Sequence, residues 1–162
     1  EALSFASHLA VMHGGRLIQS GTPQELYLRP ADARTARFLG EAVILDARIS
    51  DGMAMTRLGP VPVAAPVAAA DGAARIMLRP EQIELAPPGA SCRARVLDRS
   101  YQGASWRITI APEEAAPGQE TPRVTLHIPV RQALSPGDAV GLRLIGPAHV
   151  LGNPADFAPA AK

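Results

Sequence analysis

At Glu41 the hydrophobic period of the chain changes, and that change constrains everything that follows it. Val43, Leu45, Ala47 and Ile49 are interleaved with Ile44, Asp46 and Arg48. The same two-residue repeat returns in Trp106, Ile108 and Ile110, in Val124, Leu126, Ile128 and Val130, and in Val140, Leu142 and Leu144. Successive side chains of a strand point to opposite faces, so each run predicts a strand with one buried face. Further strands are expected at Met53–Leu58, Ala74–Leu78, Ile83–Ala86 and Arg93–Arg99, with Gly, Pro, Asp and Ser breaks between them. Many short, punctuated strands predict a small barrel or sandwich. The Ala-, Val- and Pro-rich segment Pro60–Ala74 is expected to be a linker or exposed loop, and Ala111–Pro122 a polar, mobile hairpin loop. Asn153–Lys162 has no pattern and is expected to fray.

Before Glu41 the signals are helical and dense. Ala2, Leu3, Phe5 and Ala6 form the apolar side of a short helical turn, and HLAVMHGGRLIQSG predicts two strands joined at Gly14-Gly15. Paired glycines supply the positive φ angles of a two-residue hairpin turn. After Gly21, Thr22 is placed to cap a helix with Pro23 at its first position and Glu25 three residues beyond the cap. That is capping-box spacing, in which hydroxyl and carboxylate each satisfy an orphan backbone N–H. The helix passes through Leu26, Tyr27 and Leu28 and is stopped by Pro30. A second helix is expected from Asp32 to Leu39, with Ala33, Ala36 and Phe38 or Leu39 on one face and Gly40 as its stop.

Composition narrows the function classes. A chain of 162 residues holds one domain, or one domain and part of another. Hydrophobic residues make up 47% but aromatics only 4%, so the core is expected to be aliphatic. A formal net charge of +1 gives little attraction to nucleic acid or to a polybasic-binding membrane surface. All cations but Lys162 are arginines spread evenly along the chain, which reads as a compositional habit and not as a phosphate-binding cluster. The single cysteine, Cys92, can form no internal disulfide, consistent with a cytosolic setting. No apolar run approaches the roughly 20 residues of a membrane span, and no basic region leads a hydrophobic stretch as in a signal peptide. The first residue is not methionine and opens inside a pattern, so the sequence is expected to be part of something longer.

Catalytic chemistry is sparse. No Gly-rich phosphate loop is followed by Lys and Ser or Thr, and Gly14-Gly15 is only a turn. His8, His13, His127 and His149 lie far apart without Cys, Asp or Glu at metal-ligand spacing, and are expected to be solvated strand histidines. Cys92 opens a strand and is expected to be small and buried or half-buried, not a nucleophile. Neither a catalytic nor a metal site is expected. The segment IMLRPEQIEL, Ile76–Leu85, holds more interest. Arg79, Glu81 and Gln82 stand on a short, stiff connection between two strands, where charge is aimed at a partner or at nearby backbone, or else only braces the turn.

Glu1-Ala2-Leu3, Gly21-Thr22-Pro23-Gln24-Glu25-Leu26-Tyr27, Arg29-Pro30-Ala31 and Phe38-Leu39-Gly40 stand in an order and spacing that resembles the end of the nucleotide-binding domain in ATP-binding subunits of ABC importers. Leu78-Arg79-Pro80-Glu81 and Gly137-Asp138-Ala139-Val140-Gly141-Leu142-Arg143 resemble motifs of TOBE, the small oligomer-binding-like β-barrel that follows it in such subunits. Phe38-Leu39-Gly40-Glu41-Ala42 is most similar to the ferric-iron branch. The resemblance implies a mainly β fold: a β-hairpin and two short helices from the ATPase domain over residues 1–41, then an OB-like TOBE barrel over 42–152 and a tail over 153–162. It implies a non-catalytic regulatory and dimerisation module, with no cofactor of its own. The longer subunit would bind ATP and Mg and couple hydrolysis to import through membrane permease subunits. Its partners would be a second copy of the same subunit and those permeases, with neither nucleic acid nor direct membrane insertion. Its place would be cytoplasmic, peripheral to the inner face of the bacterial plasma membrane. Thr22, Pro23, Glu25, Pro30, Phe38 and Gly40 would form the interdomain joint, and Arg79, Glu81 and Gln82 a regulatory or interface turn. The alternative is a ligand-sensing barrel that binds a small anion or the transported ion, for feedback inhibition of a polyamine, sulfate, molybdate or sugar importer.

Overall fold

In the computed structural model, residues 5–64, 71–87, 89, 92–113, 121–132 and 134–152 are described. The expected helical turn at Ala2–Ala6, the middle of the Pro60–Ala74 segment, most of the Ala111–Pro122 loop and the final tail lie largely or wholly outside these residues.

The chain opens with a hairpin of β1 (Leu9–His13) and β2 (Arg16–Gly21). Gly14 and Gly15 make its turn at φ 56° and 75°, a conformation that an L side chain resists. Helix α1 (Pro23–Leu28) follows, with Thr22 as N-cap and both hydrogen bonds of the capping box present. Helix α2 (Ala33–Leu39) is capped by the Asp32 carboxylate, which accepts from the Thr35 N–H at 2.6 Å.

Ten further strands form two antiparallel sheets. The first is ordered β12-β6-β3-β4-β5, from β3 (Val43–Ser50), β4 (Met53–Thr56), β5 (Gly59–Pro62), β6 (Gly72–Leu78) and β12 (His149–Gly152). The second is ordered β10-β9-β8-β11-β7, from β7 (Ile83–Ala86), β8 (Cys92–Tyr101), β9 (Ser105–Pro112), β10 (Val124–Pro129) and β11 (Ala139–Leu144). A parallel bridge from Val63 to Ala148 ties the end of β5 to the approach to β12. Val43, Leu45, Ile49, Ile76, Leu78, Ile108, Ile110, Leu126 and Leu142 meet in one aliphatic core between the sheets, as alternation requires. The fold is mainly β, as expected from the sequence.

The first sheet is covered on its outer side as well. Ala36 of α2 packs there with Met77 and Leu151, flanked by Ala33, Ala42 and Ile44. This explains the unbroken apolar run Ile76-Met77-Leu78: Ile76 and Leu78 face the main core and Met77 faces the helix.

Three expectations need correction. Of the expected loop Pro60–Ala74, residues 72–74 belong to β6 and residues 60–62 to β5, where Val61 is fully buried. The two prolines of β5 are tolerated because it is the last strand of its sheet and owes hydrogen bonds on one side only. Val130 lies beyond β10 and is exposed. On α2, Phe38 is 77% exposed and does not share the face of Ala33 and Ala36, while Leu39 is half-buried.

Candidate functional site

The turn between β6 and β7 is a single 3-10 turn, Pro80–Gln82, preceded by Arg79 in extended conformation. Leu78 anchors one end in the core and Ile83 the other, so the turn is held at both sides. Arg79 points back beneath the helices and is fully buried. Its Nε and Nη2 donate to the Tyr27 carbonyl at 3.1 and 2.6 Å. Its Nη1 donates to the carbonyls of Ala36 at 3.0 Å, Gly40 at 3.3 Å and Glu41 at 2.9 Å.

Tyr27 lies in the last turn of α1 and Ala36 in that of α2, where carbonyls lack a partner within the helix and the helix dipole is negative. One planar guanidinium therefore closes two helix ends and the crossing into β3. Its carbon also lies 3.9 Å from the centre of the Tyr27 ring. Burial pulls the Arg79 pKa below the usual arginine value, and nearby Tyr27 and Glu81 oppose that pull.

The neighbours of Arg79 fix the same seam. Gln82 Oε1 accepts from the Arg79 N–H at 3.0 Å, and Gln82 Nε2 donates to the carbonyls of Pro147 at 2.9 Å and Ile145 at 3.3 Å. Glu81 Oε1 accepts from the Tyr27 hydroxyl at 3.0 Å. Burial and then this bond to Glu81 raise the Tyr27 pKa above 10.0. Gly40 ends α2 at φ 161°, an extended backbone open to any residue, and not the left-handed stop its sequence suggests. What excludes a side chain there is space, because a Cβ on Gly40 would stand 3.1 Å from Tyr27 Cε2.

A second clasp lies at Pro30. The His149 ring, on β12, donates from Nε2 to the Pro30 carbonyl at 2.9 Å, which corrects the expectation of a solvated histidine. Burial lowers its pKa below 6.5; the bond to Pro30 raises it and the cations Arg29 and Arg79 lower it further. Gln19 of β2 brackets the same bend, donating to Arg29 O at 2.9 Å and accepting from Ala31 N at 2.7 Å.

Of the residues singled out in the sequence, Arg79, Glu81, Gln82 and Gly40 meet around Tyr27, and Pro30 meets His149. Thr22, Pro23 and Glu25 cap the far end of α1 and reach the seam only through that helix. Phe38 points away from the seam into solvent. Sequence reasoning missed Tyr27, His149 and Gln19 as members of the joint. His149 and Gln19 bond backbone groups of a bend distant in sequence, and Tyr27 meets the side chains of Arg79 and Glu81, 52 and 54 residues away, so no local pattern marks any of the three.

Beside the turn, edge strands β7 and β10 do not pair, and a gap of about 740 Å³ between them is lined by Tyr27, Glu41, Glu81, Glu84 and His127 among others. Glu41 lies 3.5 Å from the His127 ring and 3.8 Å from Arg107. Among the described residues, no three His, Cys, Asp or Glu side chains gather as a metal-ion cluster, and no helix is long and apolar enough to cross a membrane.

Residues 76–151 match the TOBE domain family. The chain is 46% identical over 148 residues to "Fe(3+) ions import ATP-binding protein FbpC 1" of Rhodococcus jostii (strain RHA1), covering 91% of this chain and 42% of that protein. It is 44% identical over 158 residues to "Fe(3+) ions import ATP-binding protein FbpC" of Pseudomonas fluorescens (strain Pf0-1), covering 95% and 44%. Against the protein of that name in Yersinia pestis it is 43% identical over 156 residues, covering 93% and 43%. The chain thus spans less than half the length of the curated relatives it matches. The chain carries a TOBE domain over residues 76–151 and is similar, over more than nine-tenths of its length, to part of these Fe(3+)-import ATP-binding proteins.

Proposed function

We propose that residues 42–152 are the regulatory and dimerisation module of an ABC importer's ATP-binding subunit, and that residues 1–41 close its ATPase domain. The module is non-catalytic. The whole subunit binds ATP and Mg, hydrolyses ATP and drives ferric-iron import through membrane permease subunits at the inner face of the bacterial plasma membrane. The Fe(3+)-import names of the relatives support this reading.

The observation that carries it is the Arg79 joint. A module that regulates an ATPase domain must be mechanically connected to it, and a loose linker connects nothing. Here a buried guanidinium from the β module bonds the ends of both helices and the crossing strand at once. The assignment of residues 1–41 draws on a second feature. Phe5, Met12, Leu17, Leu28 and Phe38 are large apolar side chains exposed on the hairpin and helices, as suits a surface covered by the rest of an ATPase domain.

Sedimentation velocity tests the dimer role directly. The chain is expected to show a concentration-dependent monomer–dimer equilibrium. A strict monomer at high concentration, with the full subunit also monomeric, would remove dimerisation from the proposal.

A further inference from the structure

The second sheet is open beside the seam, and the way it is open specifies what fits there. Every pair in the order β10-β9-β8-β11-β7 is antiparallel, so with five strands the two edges, β10 and β7, run in the same direction. They flank the gap of about 740 Å³, with Ile83, Glu84 and Leu85 on one side and Leu126, His127 and Ile128 on the other. Among the described residues, no backbone hydrogen bond joins the two edges. Each edge therefore turns a row of free N–H and C=O groups into the gap. A single added strand running the opposite way is antiparallel to both, so it satisfies two edges at once.

The walls state the chemistry of that strand. Ile83, Leu126 and Ile128 are buried in the core and Leu85 packs against it, in alternation with the more open Glu84 and His127. A strand between them alternates in the same way, apolar inward and polar outward. Its outer face meets carboxylates, Glu84 on β7 and Glu41 and Glu81 at the end next to Tyr27, and no lysine or arginine is among the described lining residues. Glu84 commits Oε2 to Arg143 and Glu81 commits Oε1 to Tyr27, which leaves one oxygen on each. The Glu41 carboxylate stands 3.5 Å from His127 and 3.8 Å from Arg107. At the other end the gap runs into a depression of about 420 Å³ that shares Leu85 and Gln132 and is otherwise apolar, with Ala86, Leu134 and Val140 in its wall. Because β7 runs from the carboxylates at Ile83 to this depression at Ala86, an antiparallel strand enters at the apolar end and finishes at the acidic one.

We propose that this gap takes an extended peptide segment of a partner protein by strand addition, antiparallel to both β7 and β10. The segment is apolar at alternate positions, begins with a large apolar residue and carries Lys or Arg at its outward positions towards the C-terminal end. Backbone pairing supplies the affinity, and the apolar depression and the three carboxylates select sequence and direction. The interaction is separate from dimerisation of the module: titration reports on one and sedimentation on the other.

The test uses the whole chain and the peptide acetyl-Leu-Thr-Val-Lys-Val-Arg-amide. Calorimetric titration is expected to saturate, and hydrogen exchange is expected to slow at amides within Ile83–Ala86 and Leu126–Ile128. N-methylation of the two valine amides removes donors and is expected to weaken binding by about tenfold. The same residues in reverse order are expected to bind more weakly than the forward peptide. E41Q/E84Q is expected to weaken binding by about fivefold, and D51N, on the turn between β3 and β4, to bind like the parent. A reversed or N-methylated peptide that binds as well as the forward one, or unchanged exchange at both edges, would reduce the contact to charge alone and overturn the proposal; neither needs a variant, should E41Q/E84Q fail to fold. Sedimentation with and without peptide is expected to give the same oligomeric state. A dimer that dissociates as the peptide binds would assign the gap to a second copy of the chain, which also overturns it.

Discussion

The Arg79 side chain holds Tyr27 twice: its guanidinium carbon lies 3.9 Å from the centre of the tyrosine ring, while Nε and Nη2 bond the same residue's carbonyl. Arg79→Met keeps most of the stem volume and removes every donor. It strands the carbonyls of Tyr27, Ala36, Gly40 and Glu41, each worth about 1–3 kcal/mol when left unsatisfied, less whatever water recovers. A loss of about 3–5 kcal/mol in unfolding free energy is expected from urea titration. Arg79→Lys supplies one point charge without the planar fork and is expected to lose about 2 kcal/mol. Two variants as stable as the parent would leave the joint without its centre.

Thr22→Ala removes the hydroxyl that accepts the Glu25 N–H and with it the reciprocal box. Caps of this kind contribute about 1 kcal/mol. Because α1 presents Tyr27 to Arg79, the loss is expected to spread along the helix, with faster hydrogen exchange at the Glu25 and Leu26 amides. Thr22→Ser keeps the oxygen and is expected to exchange like the parent; equal exchange in the alanine variant would mean that packing alone holds the helix.

The contrast between those two sites explains what the sequence could tell. Thr22 and Glu25 are three residues apart and satisfy each other, so their geometry is written in local spacing. Arg79 was visible as a charge on a stiff turn, but its acceptors are backbone carbonyls 38 to 52 residues away, and every residue has a carbonyl. Most strands of the two sheets were legible because one face is buried and alternation follows. Strand β5 was not, since its prolines imitate a linker while Val61 between them is buried.

Gly40→Ala tests whether space, and not backbone freedom, selects glycine at the crossing. At φ 161° alanine meets no conformational penalty. Its methyl group would lie 3.1 Å from Tyr27 Cε2 and 3.7 Å from Arg79 Nη1. The ring cannot move aside freely, being stacked on Arg79 and bonded to Glu81. A loss of about 1–2 kcal/mol is expected. Combining Gly40→Ala with Tyr27→Leu is expected to give less than the sum of the single losses, a double-mutant cycle that would be additive if the clash were elsewhere.

The His149–Pro30 clasp makes stability depend on pH in a defined direction. Burial, above all, holds the folded-state pKa of His149 below its ordinary 6.5, with the bond to Pro30 acting against that shift and Arg29 and Arg79 acting with it. As pH falls below about 6.5 the unfolded chain takes up a proton first, so it is favoured. The contribution of His149 is therefore complete above that pH and is lost progressively as pH falls towards the folded-state pKa. His149→Gln retains an N–H donor for the Pro30 carbonyl and cannot titrate. Urea midpoints measured at about pH 7.5 and about pH 5.5 should fall further in the parent than in the variant. Parallel falls in the two proteins would assign the acid sensitivity to other groups and leave His149 a hydrogen-bond donor only.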